Sequence, residues 1–227
     1  MFAVISFIST VLLYGGAKLL YRRTKYIFLS PLVICPIVLI SLLLSSHVPY
    51  DTYNNGTRWI TDMLQPATVA FAVPLYKYHK LLKKHALEIM IGVSGGSVIA
   101  ILSSIFYGKW LHVAPAMIDS LAPRSVTTPF AMNVSQNIGG LPVMTAVFVI
   151  LTGVTGMIVG PLILRWLPIK QKISQGMLLG MGAHGAGASK AYEIGPTEGV
   201  IASLTMIVAG LVTIVLAPVL VPIVMSV

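Results

Sequence analysis

Five stretches of the chain, 2–20, 27–46, 86–107, 142–164 and 199–225, run for roughly 20 residues with at most one charged residue in each. A helix of that length crosses the roughly 30 Å hydrocarbon layer of a bilayer, and few soluble cores need so many. The composition agrees: 56% of the 227 residues are hydrophobic and 9% are charged, against about 25% charged in soluble domains. The expected fold class is therefore an all-α polytopic membrane protein. The net charge of +9 does not point to nucleic acid, because the cations lie between apolar runs, where they face anionic lipid. Cys35 is the single cysteine, so an internal disulfide and a cysteine-based metal site are excluded, and no cofactor is expected. The first run has its basic residues after it, which reads as a true span with its N-terminal end outside, not as a cleaved leader.

Three further segments are apolar but interrupted: 61–77, 110–140 and 174–195. Basic clusters Arg22–Lys25, Lys77–Lys84 and Arg165–Lys172 all go to the cytoplasm if the runs alternate in direction. On that reading 108–141 starts and ends outside, as a re-entrant hairpin or two short crossings. The segment 174–195 then runs outward and 199–225 returns, leaving the C-terminal end cytoplasmic. About seven or eight crossings result. The layout also suggests a repeat with halves 1–108 and 109–227 inside one transmembrane domain of 1–227. A shift of about 114 residues lays GGSVIAIL (95–102) on AGLVTIVL (209–216) in opposite orientation, as in inverted-repeat carriers.

Broken backbone survives in hydrocarbon only inside protein or beside a wet cavity, so the interrupted segments should share a polar interior. In 61–77, Pro66 removes a helix hydrogen bond and is expected to free carbonyls near Met63 and Leu64, with Thr68 beside them. In 121–140, Arg124, Ser125, Thr127, Thr128 and Asn133 crowd between Pro123 and Gly139. A half-helix opening there would aim its N–H groups at an anion, and Arg124 suits a carboxylate. In 174–195 the glycines permit a break. His184 or a glutamate, Glu193 or Glu198, could carry a proton, and Lys190 and Glu193 are spaced to pair on one helical face. GVSGG (92–96) with His184 resembles a serine-protease arrangement, but Gly92 and Gly96 read as a helix-packing face. No catalytic residues are assigned and no enzyme is expected.

Three long motifs, LQPATVAFAVPLYK (64–77), LAPRSVTTPFAMNVSQNIGGLPVMTAVFVILTG (121–153) and GMGAHGAGASKAYEIGPTEGVIASL (180–204), resemble the LrgB/CidB family of antiholin-like membrane proteins. The resemblance covers nearly the whole chain. It departs where the family has lysine for Arg124 and a TAR-like tripeptide for Ala188-Ser189-Lys190, and an amine cannot grip a carboxylate bidentately. The resemblance implies one of two functions. One is regulation of murein hydrolases and lysis with a small holin-like LrgA/CidA partner. The other is transport of small monocarboxylates such as pyruvate, glycolate or glycerate across the bacterial cytoplasmic membrane. The breaks favour transport, with a substrate site of Pro66, Thr68, Arg124, Ser125, Thr127, Thr128, Asn133, Ser189 and Lys190 and proton coupling by His184, Glu193 or Glu198. The expected partners are the bilayer, the carboxylate and the LrgA/CidA-like protein, with homo-oligomerisation left open.

Overall fold

The computed structural model describes residues 2–24 and 26–226, and every regular element among them is helical. Two compact units divide the chain, 1–69 and 70–227. The first contains α1 (Phe2–Thr24), a 3-10 turn (Ile27–Leu29), α2 (Pro31–Ser46), α3 (Tyr50–Asp62) and most of α4 (Leu64–Ala70). The Thr10 and Tyr53 hydroxyls, 2.8 Å apart, tie α1 to α3. The run 27–46 is not one long helix. Ser30 caps α2 and Pro31 opens it, leaving a helix of about 24 Å, short of the hydrocarbon thickness.

Pro66 behaves differently from expectation. It lies in the first turn of α4, where a missing N–H costs little. The Met63 carbonyl accepts from Ala67 N at 3.0 Å and the Leu64 carbonyl from Thr68 Oγ1 at 2.8 Å. Neither carbonyl is left free.

The second unit holds α5 (Ala72–Lys77), α6 (His79–Lys84), α7 (Ala86–Trp110), α8 (Pro115–Leu121), α9 (Thr128–Ile138), α10 (Pro142–Trp166), α11 (Lys172–Ile194) and α12 (Pro196–Met225). Among the described residues, four helical stretches are long and apolar enough to cross a membrane: Val4–Thr24, α7, α10 and α12. Helices α8 and α9 are about 10 and 16 Å long, too short for that. Their base is pinned where Leu141 N donates to Ser120 Oγ at 2.7 Å and Thr145 Oγ1 to Ser135 Oγ at 2.7 Å.

Helix α11 has the length of a span but does not cross as one. Ala183 (φ −140°, ψ 15°) and His184 (φ 40°, ψ −124°) leave helical geometry and split it into two arms. The arms fold back on each other. Gly187 lies against the carbonyl of Leu179, so closely that a Cβ there would collide with it, although eight residues along one straight helix are about 12 Å apart. Leu179, Ala188 and Ala191 then form a buried cluster with Ala202 of α12.

Because α11 returns to the side where it began, α12 runs in the opposite sense to the one expected. Ile89 and Val93 cluster with Val208 and Ala209, Ser97 meets Thr213 at 3.5 Å, and Lys109 Nζ donates to the Val224 carbonyl at 2.9 Å. Residue numbers rise together along both helices, so α7 and α12 are parallel. The segments 95–102 and 209–216 therefore lie side by side in the same orientation, not in opposite ones. The expected GxxxG face is present: Met177 and Met181 of α11 pack on Gly92 and Gly96.

Candidate functional site

Two folded-back segments point their tips at one place. The first is the turn Leu121–Thr127 between α8 and α9, which carries Arg124; the second is the break at Ala183–His184. Val126 of the first tip and Val149 of α10 share a buried cluster, and His184 Nε2 donates to the Val149 carbonyl at 3.0 Å. A carbonyl only accepts, so Nε2 carries the proton, and Nδ1 has no hydrogen bond among the described residues. A cleft of about 500 Å³ opens beside the two tips. It is lined by Arg124, by Thr152, Thr155 and Gly156 of α10, and by Gly182 and Ala183 of α11, within a largely aliphatic wall.

The local sequence explains each placement. Gly153 and Gly156 let α11 approach α10: a Cβ on Gly153 would meet the His184 ring at 2.8 Å, and one on Gly156 would collide with Ala183. His184 occupies dihedrals close to the first central position of a type II′ turn, a place glycine normally takes. Such a conformation costs on the order of 1–3 kcal/mol and persists only where its surroundings hold it. Arg124 Nε donates to Ser104 Oγ at 3.0 Å; among the described residues this is its hydrogen bond, and the terminal fork of the guanidinium stays available for a planar anion.

A helix starts at each tip. Thr127 is the N-cap of α9 but its side chain makes no capping bond, and its buried Oγ1 finds no partner among the described residues. The second arm of α11 begins at Gly185. Each helix start carries the positive end of its backbone dipole. Arg124 places a cation in the largely aliphatic wall of the cleft.

The predicted residues separate into groups. Arg124 lines the cleft; Ser125 and Thr127 are buried at the same tip; Thr128 opens α9 and Asn133 lies exposed along it. Lys190 is not with them. It bonds Glu193 Oε2 at 2.6 Å in a different cavity at the mouth of the α11 hairpin, and Ser189 is exposed. Glu198 is buried in the first turn of α12. Pro66 and Thr68 belong to the first unit. Sequence reasoning missed Thr152 and Thr155, although LTGVTG puts two hydroxyls and two glycines in an otherwise hydrocarbon run. Ser94 lines the apolar groove between α7 and α12, and no hydrogen bond among the described residues joins it to His184.

The LrgB-like family model matches residues 10–223. The chain is 54% identical over 215 residues to the uncharacterized protein YwbG of Bacillus subtilis, covering 95% of this chain and 96% of that one. It is 35% identical over 209 residues to the antiholin-like protein LrgB of Bacillus subtilis, covering 92% and 90%. With the antiholin-like protein LrgB of Bacillus cereus it shares 32% over 216 residues, covering 95% and 94%. No solved structure matches the chain. The motifs that meet at the two tips, and the helices that hold them, thus fall inside one matched region, and the chain belongs to the LrgB-like family.

Proposed function

We propose that this chain is a carrier of small monocarboxylates, of the pyruvate, glycolate or glycerate class, in the bacterial cytoplasmic membrane. The observation that carries the reading is the convergence on one cleft of Arg124 and of Gly182 and Ala183, where α11 breaks. Arg124 grips the carboxylate through its fork, the helix starts at Thr127 and Gly185 add N–H groups, and Thr152 and Thr155 reach the hydroxyl or keto oxygen. The aliphatic wall takes the short carbon end. His184, with Nδ1 uncommitted, is the favoured group to carry a coupled proton. No chemical step on the substrate is part of this function.

With the basic loop 165–172 on the cytoplasmic side, α10 runs inward and α7 and α12 run outward. The hairpins α8–α9 and α11 then enter from opposite faces as re-entrant segments, and the C-terminal end lies outside. Crossings by the first unit bring the total to its final value. A small holin-like LrgA/CidA-type protein is the proposed working partner.

Two relatives carry the name antiholin-like protein, which favours a second reading; in the form the family resemblance implies, the chain is a regulator of murein hydrolases with no substrate of its own. Uptake into proteoliposomes separates the two. Saturable uptake of labelled pyruvate or glycolate that responds to a pH gradient, with the chain alone or with the small partner, supports a carrier. Leakage of an enclosed dye without saturable uptake supports the regulator and removes the carrier.

A further inference from the structure

A second cavity, of about 300 Å³, lies at the mouth of the α11 hairpin, where the last turns of α10 meet the open ends of the two arms. Arg165 of α10, Gln175 of the first arm, and Lys190 and Glu193 of the second arm supply its polar groups, with Leu164 beside them. It is separate from the Arg124 cleft. Leu164 and Leu178, packed on the Leu179 cluster, stand between the two, and one arm of α11, about 16 Å long, joins them.

Two cations face one carboxylate in this cavity. Lys190 is partly shielded, its side chain 17% exposed, whereas Glu193 is an exposed residue, and their bond is 2.6 Å. Gln175 Nε2 donates to the Ile169 carbonyl at 2.7 Å, which fixes its amide and turns Oε1 away from that bond. Arg165 takes part in none of the ion pairs between described residues. Of the two cations lining the cavity, the exposed Arg165 guanidinium is the one outside these ion pairs.

We propose that this cavity is a second carboxylate station, holding the same small monocarboxylate between the Arg124 cleft and the basic side of the membrane. The proposal rests on the carrier reading above. Arg165 takes the carboxylate bidentately, and the carboxylate competes with Glu193 for Lys190. Glu193 thus acts as a built-in rival that keeps the station weak, which a station on a transit path requires.

A structural ion pair on a helix face makes a different prediction from a rival anion, and the sign of the effect distinguishes them. The experiment is equilibrium binding of pyruvate to the purified full-length chain in detergent, with melting curves to confirm folding. Wild type should show two classes of site. Arg124→Gln should remove one class and leave the other. Arg165→Gln should weaken the remaining class by about tenfold or more, the size of a lost charge-assisted bond, while Glu193→Gln should tighten it several-fold. A single class of site, abolished by Arg124→Gln and indifferent to Arg165→Gln and Glu193→Gln, would overturn the second station and leave the carrier reading standing. An Arg165-dependent site that takes short-chain phosphatidylglycerol but not pyruvate would overturn it too, as a lipid headgroup site. Absence of any Arg124-dependent binding would instead remove the carrier reading on which the station depends.

Discussion

Helices α10 and α11 have 25 and 23 residues, lie side by side, and both contain several glycines, yet one is a continuous helix and the other is folded in two. The glycines do different work. In α10, Gly153 and Gly156 receive atoms from a neighbour: the His184 ring and the Ala183 side chain. In α11, Gly187 receives the backbone of its own first arm. Glycine in a membrane helix permits close approach; it does not by itself break the helix. The break falls on Ala183 and His184, which are not glycines, and is held by a hydrogen bond from one helix to the other. The continuous helix is the template that the broken one needs.

This contrast can be broken most severely at Gly187. Gly187→Leu has no room against the Leu179 carbonyl and should cost more than about 3 kcal/mol, seen as loss of folded protein in detergent. Gly182→Ala in the same segment meets nothing within 4 Å and should melt as wild type does. A smaller effect is expected on the template side. Gly153→Ala pushes on the His184 ring and should lower stability by about 1–3 kcal/mol, read as a fall in melting temperature, while leaving α10 helical by circular dichroism.

Two buried hydroxyls without partners among the described residues, Thr127 and Thr205, sharpen the comparison between site and scaffold. Valine at either position removes an unsatisfied polar group and should leave stability equal or raised by up to about 2 kcal/mol. Thr127→Val alone should also weaken pyruvate binding, by about fivefold to tenfold for one neutral hydrogen bond. The smallest stability effect is expected for His184→Gly. Relief of about 1–3 kcal/mol of backbone strain offsets a lost hydrogen bond of about 1 kcal/mol and the lost packing of the ring. The melting temperature should stay near wild type while the response of uptake to a pH gradient disappears.

Much of this architecture can be read from apolar run length alone. The runs 86–107, 142–164 and 199–225 became α7, α10 and α12 because uninterrupted hydrocarbon of that length has one stable form in a bilayer. The Lys190–Glu193 pair followed from spacing on a helix. The direction of α12 was not legible. The stretch 174–195 has the length of a span, and it is turned back by tertiary contacts: Gly187 against Leu179, eight residues away, and His184 bonded to the Val149 carbonyl of α10. The same fold-back carries Lys190 to the hairpin mouth, away from Arg124, although the two cations had seemed natural partners. Local pattern identifies where a chain can break, whereas tertiary packing decides where it goes next.

The claim that two hairpin tips build one anion site is tested most directly by Arg124→Gln in proteoliposomes, with labelled pyruvate uptake and helix content measured on the same preparation. The carrier account predicts wild-type helix content, because the Arg124 side chain bonds the Ser104 hydroxyl and no other group among the described residues, together with a loss of saturable uptake of about a hundredfold, the upper range for removing a charged hydrogen-bonding group. Undiminished saturable uptake by a folded Arg124→Gln chain would contradict it.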